Sequence, residues 1–260
     1  MAEMSPAVHA VLPGQIAKLP SDTSVGQLDI SFFVPCYNEE ANVEGALLKL
    51  MDVSERLGLS YEVLVFDDCS RDDTVGVVTR FMTHHPDASI SLYTNDKNQG
   101  VARNFVEGAF RARGRHYRLV CGDDVEPIDS HIKLLGHMGD ADIIVPYFTE
   151  IAGRKMHRHV ISRFYTWLVN RASGNRLRYY NGCPIYRTGD VLRFHVEATG
   201  FGYQAEFLTR LLHERRSVLE VPLESIDREG SGSLNFRNFV SVAHSLLKIG
   251  LRRTRTRLFK

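Results

Sequence analysis

Short apolar runs that end in polar or acidic turns alternate along the first half of the chain with stretches whose apolar residues recur every three or four positions. Residues 28–35 (Leu-Asp-Ile-Ser-Phe-Phe-Val-Pro) predict a strand closed by proline, and Val43, Ala46, Leu47, Leu50, Met51 and Leu57 then fall at helical spacing. Residues 61–66 predict a second strand, and a helix through Phe81 follows, with Ser70 three residues before Asp73 as a capping box. A third strand is expected at 89–94, with a helix opening at 98–104 and running to about Arg113, and a fourth strand at 116–121. Strands and helices alternating at this spacing predict an α/β fold, a mostly parallel, doubly wound, Rossmann-like sheet with helices on both faces.

The second half is less regular. Residues 141–147 predict another buried strand, and a helix follows whose apolar positions include Ile161, Phe164, Leu168 and Val169. A turn at 179–184 leads to a short strand at 185–187, then a helix over 205–216 and a final strand over 217–223. Beyond the Gly/Ser-rich loop 227–233, a terminal helix from Phe236 is expected to bury Phe239, Val240, Ala243, Leu246 and Leu247. The expected organisation is a loosely ordered arm over 1–28, a catalytic domain over 29–235 and an amphipathic basic helix over 236–260. Within the domain, 29–127 would form one half and 128–235 the other.

Composition is ordinary for a folded protein of 260 residues. Cys36, Cys69, Cys121 and Cys183 are scattered without metal-ligand spacing, which argues against a zinc site or a disulfide framework. No apolar run is long enough to span a bilayer and no secretory signal pattern opens the chain, so a cytoplasmic protein is expected. The formal charge of +1 hides a basic tail: without Arg252, Arg253, Arg255, Arg257 and Lys260 it is about −4. One basic terminus fits peripheral contact at the cytoplasmic face of a membrane, or a helix end favoured by its dipole, better than nucleic-acid binding.

The candidate chemistry lies in the turns. Residues 118–121 end abruptly in Asp123, Asp124, Glu126 and Pro127, which reads as a buried strand delivering carboxylates to a sheet rim. In extended chain Asp124 and Glu126 face one way. Two such oxygen donors suit Mg²⁺ or Mn²⁺ shared with a ligand's phosphates; a plain polar turn is the alternative. Asp67 and Asp68 follow a strand in the same way and can accept hydrogen bonds from a nucleobase or ribose. Arg154, Lys155, Arg158 and Ser162 near a helix start, and Arg228 in the Gly/Ser loop, have the makings of an anion cradle.

Four stretches in order, Pro35-Cys36-Tyr37-Asn38-Glu39, residues 67–74, Asn98-Gln99-Gly100-Val101-Ala102-Arg103-Asn104 and Gly122-Asp123-Asp124, resemble the nucleotide-sugar half of family 2 glycosyltransferases. The resemblance covers residues 28–127. It implies a GT-A fold, a nucleotide-sugar donor and a divalent metal on its diphosphate. Carried over, it makes Pro35, Tyr37, Asn38, Glu39, Asp67, Asp68, Asn98, Gly100, Arg103, Asn104 and Asp123 donor-binding, with Asp124 and Glu126 on the metal. Arg158, Ser162, the turn before Ile185 and the stretch 228–233 resemble the polyprenyl-phosphate branch, which includes dolichol-phosphate mannosyltransferase. That implies a lipid-phosphate acceptor held by Arg154, Arg158, Ser162, Arg228 and Ser231.

Two departures stand out: Gly122 occupies the place of the first acid of an Asp-x-Asp pair, and Gly-Ser-Gly-Ser replaces Gly-x-Ser-Lys. Asp124, Arg228 and, if the acceptor is a sugar hydroxyl, Glu206 as base are the expected catalytic residues, and inversion is implied. A non-catalytic nucleotide-sugar-binding module is the other reading. Whether the chain forms a homodimer stays open.

Overall fold

The computed structural model describes residues 28–152, 156–193, 202–226 and 246–251. They fall into two compact units, 28–124 with 187–192, and 125–186 with the rest of the described chain.

In the first unit the order is β1 (Leu28–Cys36), α1 (Val43–Leu57), β2 (Tyr61–Asp67), α2 (Thr74–His84), β3 (Ile90–Thr94), α3 (Val101–Arg111) and β4 (Gly114–Leu119). The strands lie side by side as β3-β2-β1-β4, all parallel. Right-handed crossovers from β1 to β2 and β2 to β3 put α1 and α2 on one face, and the return from β3 to β4 puts α3 on the other. Accordingly α1 packs on α2, while α3 packs on β1. Both faces being covered, Ile30, Phe32, Phe33 and Val34 are all buried, and Phe32-Phe33-Val34 shows no alternation of apolar and polar positions. Phe33 stacks near Phe66 (5.3 Å) and Phe105 (5.9 Å), and Phe105 lies 4.9 Å from Tyr117. The Tyr117 hydroxyl, inside this cluster, donates to Phe105 O at 2.8 Å.

One polar network runs through this core. Glu62 Oε1 accepts from Ser31 Oγ (2.6 Å) and Arg113 N (2.6 Å), and its Oε2 accepts from Arg113 Nε (2.8 Å). Ser31 Oγ in turn accepts from Gly114 N at 2.8 Å. A Cβ on residue 114 would lie 2.4 Å from Ile30 C and Ser31 N, so only glycine lets β4 begin there, two residues before the predicted start.

The second unit holds α4 (Ile128–Leu135), β5 (Ile143–Ala152), α5 (Met156–Ser173) and β6 (Ile185–Arg187); after α6 (Thr188–Leu192), which returns to the first unit, come α7 (Tyr203–His213) and β7 (Val218–Ile226). β5 pairs antiparallel with β6 and parallel with β7. Ser130 Oγ on α4 donates to Glu224 O on β7 at 2.8 Å. α6 packs on α3 and β4, and Thr188 Oγ1 donates to Gly114 O at 2.5 Å.

Several sequence expectations need correcting. The capping box does not form: α2 starts at Thr74, and Ser70 Oγ instead accepts from Asn38 N. β4 ends at Leu119, because the chain turns at Gly122 and Asp123. On α5 Val169 is buried, but Ile161 and Phe164, expected on the apolar face, are 44% and 58% exposed. In the terminal segment Leu247 is exposed; residues 227–245, the arm 1–27 and the basic tail lie outside the described residues. None of the four cysteines is in a disulfide, and Cys121 is exposed.

Glu62→Ala would strip three hydrogen bonds from this buried carboxylate site. The expected loss is about 2 kcal/mol or more of unfolding free energy, measured by urea titration.

Candidate donor site at the carboxyl edge of the first unit

Parallel strands send their carboxyl ends to one edge. The winding reverses between β1 and β4, and the crevice outside the strand ends at such a switch point is where open α/β sheets hold ligands. Four loops meet that edge, those following β1, β2, β3 and β4.

The first two are laced together. Asp68 N donates to Cys36 O (2.8 Å), Asn38 N to Ser70 Oγ (2.9 Å) and Arg71 N to Asn38 Oδ1 (2.8 Å). Glu40 N donates to Asp72 Oδ2 (3.1 Å), and Asp73 N donates back to Glu40 Oε2 (2.8 Å). Glu39 N donates to Thr74 Oγ1 (2.9 Å), whose hydroxyl donates to Asp72 Oδ1 (2.5 Å), a relay in which each bond strengthens the next. Desolvation opposes the charge on Asp72, but the hydrogen bonds from Thr74 and Glu40 outweigh it and hold its pKa below the usual carboxylate value. A carboxylate lowered in this way stabilises the fold above its unfolded pKa, and the contribution is lost as pH falls through the folded value.

Asp68 is 6% exposed and both its oxygens are used by the protein itself. Oδ1 accepts from Gln99 N (2.7 Å) and Asn95 Nδ2 (2.9 Å), and Oδ2 accepts from Gly100 N (2.8 Å). Gly100 needs the clamp and the missing side chain, because its φ is 83°. Asn95 also donates to Asn104 Oδ1 at 3.0 Å. Asp68 therefore shapes the turn that opens α3, whereas its neighbour Asp67 keeps one buried oxygen, Oδ1, without a hydrogen bond. Tyr37, Asn38 and Asn98 are exposed on these loops, Arg103 is exposed in the first turn of α3, and Pro35 and Glu39 are half-buried.

After β4 the chain does not stay extended. Asp124 has φ 59°, which breaks the alternation that would make it face the same way as Glu126. Asn38 (φ 58°) and Cys69 (φ 66°) are left-handed too, so three of the four loops carry a non-glycine residue in a sparsely populated conformation. Asp124 Oδ1 lies 2.9 Å from Lys49 Nζ. The ammonium's aligned hydrogen bond goes to Asp124 O (3.1 Å), and Oδ1 is left as a buried oxygen with no hydrogen bond of its own. A Cβ on Gly122 would meet Cys36 Sγ at 2.8 Å and Pro35 O at 3.3 Å, so the acid of an Asp-x-Asp pair does not fit here while Cys36 stands opposite. The Cys36 thiol, buried and close to acids, is pushed far above the usual thiol range.

Among the described residues no three His, Cys, Asp or Glu side chains come together as a metal site. Asp124 alone fits the donor chemistry of a Mg²⁺ or Mn²⁺ ion that takes most of its ligands from phosphates and water: it is a hard oxygen donor already holding a cation.

In the second unit, Glu126 Oε2 is 3.5 Å from Nδ1 of the buried His131. Arg158 and Ser162 are half-buried on α5. Glu206 sits in the first turn of α7 and is 5% exposed, not solvent-facing. Arg154, Arg228 and Ser231 lie outside the described residues. Sequence reasoning missed Glu40, Lys49 and Asn95, because their partners come from other elements and leave no local spacing signal.

The fold is that of GT-A glycosyltransferases. Glucosyl-3-phosphoglycerate synthase from Mycobacterium tuberculosis, solved with Mg²⁺ and UDP, matches with a TM-score of 0.64 at 16% identity, over 86% of this chain and 79% of that one. The mannosyltransferase PcManGT from Pyrobaculum calidifontis, in complex with GDP-Man and Mn²⁺, matches with a TM-score of 0.61 at 15% identity, over 90% and 66%. Residues 31–200 match the glycosyl transferase family 2 model, and the chain belongs to that family of enzymes. It is 26% identical to a dolichyl-phosphate β-glucosyltransferase of Trichomonas vaginalis over 92% of this chain and 76% of that protein. It is 22% identical to an undecaprenyl-phosphate 4-deoxy-4-formamido-L-arabinose transferase of Salmonella paratyphi B over 84% and 66%.

Asp68→Asn turns part of the acceptor into a donor facing the Gln99 and Gly100 amides. Exchange of those two amides with deuterium is expected to speed up by about tenfold, corresponding to roughly 1.4 kcal/mol of lost local protection.

Proposed function

We propose that this chain transfers a sugar from a nucleotide-sugar donor to a polyprenyl phosphate at a membrane surface, inverting the anomeric centre, with Mg²⁺ or Mn²⁺ on the donor's diphosphate. The observation that carries the acceptor half is the surface of α5. Val160, Ile161, Phe164 and Trp167 are 60%, 44%, 58% and 58% exposed, and the rings of Phe164 and Trp167 stack at 5.8 Å. At spacings of one, three and three they share one helix face. From residue 151 to 189 the sequence has no acid and eight Lys or Arg. Exposed aromatics within a stretch rich in cations are what a headgroup interface attracts. Among the described residues no helix is long and apolar enough to cross a membrane.

On the donor side, the buried Oδ1 of Asp67 is available to a base or ribose donor, and the laced loops fix the main chain around it. Asp124 would hold the divalent ion, which would supply positive charge to the leaving diphosphate. Arg158 and Ser162, joined by Arg154, Arg228 and Ser231, would grip the acceptor phosphate. A phosphate oxygen is already anionic, so these residues need only align it and need remove no proton. The names of the Trichomonas and Salmonella relatives support this acceptor class.

A second reading has one observation in its favour. Glu206, buried at a helix start, would serve as the base for a sugar-hydroxyl acceptor.

A panel of UDP- and GDP-sugars with Mn²⁺ and a polyprenyl phosphate is expected to give transfer with one donor. Asp124→Ala should cut the metal-dependent rate by about 100-fold or more with unchanged circular dichroism, and unchanged activity would remove the metal assignment. Transfer to a sugar hydroxyl alone, abolished by Glu206→Gln, would favour the second reading, and donor binding without turnover would leave only a binding module.

The double change Phe164→Ser and Trp167→Ser is expected to lower the partition onto phosphatidylglycerol vesicles by at least about tenfold in a sedimentation assay, each buried ring being worth some 1.5 kcal/mol or more. Equal partition of the two proteins would disconnect α5 from the membrane.

A further inference from the structure

α1 offers Asp124 two features four residues apart on one helix face. At Gly45 a Cβ would lie 2.6 Å from Asp124 Oδ2 and 3.1 Å from its Cγ, so the carboxylate rests against helix backbone that any other residue would cover. One turn on, Lys49 Nζ stands 2.9 Å from Oδ1 and donates to the main-chain oxygen of the same residue at 3.1 Å. The ammonium therefore grips Asp124 at both ends while its backbone is held left-handed. Both side chains are about 30% exposed, and an ion pair that open to solvent adds little to stability. Its consequence lies with the charge on Asp124. The Cys36 thiol meanwhile crowds the Cβ position of residue 122, so no acid two residues back shares the load.

We infer that Lys49 is the resident counter-cation of Asp124, a positioning residue that occupies the carboxylate before a divalent ion arrives and must yield to it, and so sets how tightly that ion is held. The inference rests on the reading of Asp124 as a metal ligand. Two cations competing for one carboxylate are coupled unfavourably, and removing the permanent one must tighten the other.

The probe is Mn²⁺ alone, its free fraction read by electron paramagnetic resonance against the nucleotide-free full chain. Asp124→Asn is expected to abolish the binding. Lys49→Met should tighten it by at least about fivefold, and Lys49→Arg should return it to the starting value. Circular dichroism checks the fold, and Lys49→Gln, equally neutral, takes the place of the Met variant if that chain does not fold. If Lys49→Met binds Mn²⁺ equally or more weakly while Asp124→Asn still loses it, the role given to Lys49 is wrong and the metal reading stands. If wild type and Asp124→Asn behave alike, the metal reading fails and this inference falls with it.

Discussion

The donor edge depends on the hydrogen bonds exchanged between the loops that follow β1 and β2. Where two parallel strands end, their amides and carbonyls lose ladder partners, and the usual remedy is water. Here Asn38, Glu40, Ser70, Asp72 and Thr74 supply side-chain partners across the gap, so the two loops are locked to each other. That rigidity is what allows Asn38 and Cys69 to hold left-handed backbone, which costs free energy and persists only where the surroundings enforce it. A site for a charged, water-loving ligand gains from donors and acceptors that do not have to reorganise on binding.

Much of the first unit was legible because its strands are covered on both faces. Continuous apolar runs such as 32–34 and 63–66 stand out against polar turns, and the helical spacing of Val43, Ala46, Leu47 and Leu50 is that of the buried side of α1. What escaped was decided by distant partners. Ser70 and Asp73 have the spacing of a capping box, but Asn38 N arrives from another loop and takes the serine hydroxyl. Asp68 looked like a ligand-binding acid and is a clamp on the amides of 99 and 100, thirty-odd positions away. The pairing of Asp124 with Glu126 assumed an extended chain, and a single left-handed residue removes that assumption. On α5 the periodicity was real, but periodicity alone does not say whether the apolar side meets protein or solvent, and Ile161 and Phe164 meet solvent.

The two units differ in chemical character. Carboxylates crowd the strand ends of the first, and a long acid-free, arginine-rich segment forms much of the second. Family membership and the GT-A fold do not choose an acceptor, since solved neighbours of the same architecture carry names that refer to phosphoglycerate while curated relatives carry names that refer to lipid phosphates. The features that bear on the choice are local: the exposed ring pair on α5 and the buried Glu206 on α7 point to different acceptors.

The return of α6 has a bearing on how the chain is made. Thr188 caps the carbonyl of Gly114, and α6 covers α3 and β4, so the first unit is not closed until residue 192 has been synthesised, about seventy residues after Asp124. On a ribosome, β1 to β4 must wait with that flank bare while the whole of α4, β5, α5 and β6 is added. A gene fragment cut at the apparent boundary after Asp124 would yield a polypeptide lacking its own last helix, and an aggregation-prone one, even though every strand of that unit is present.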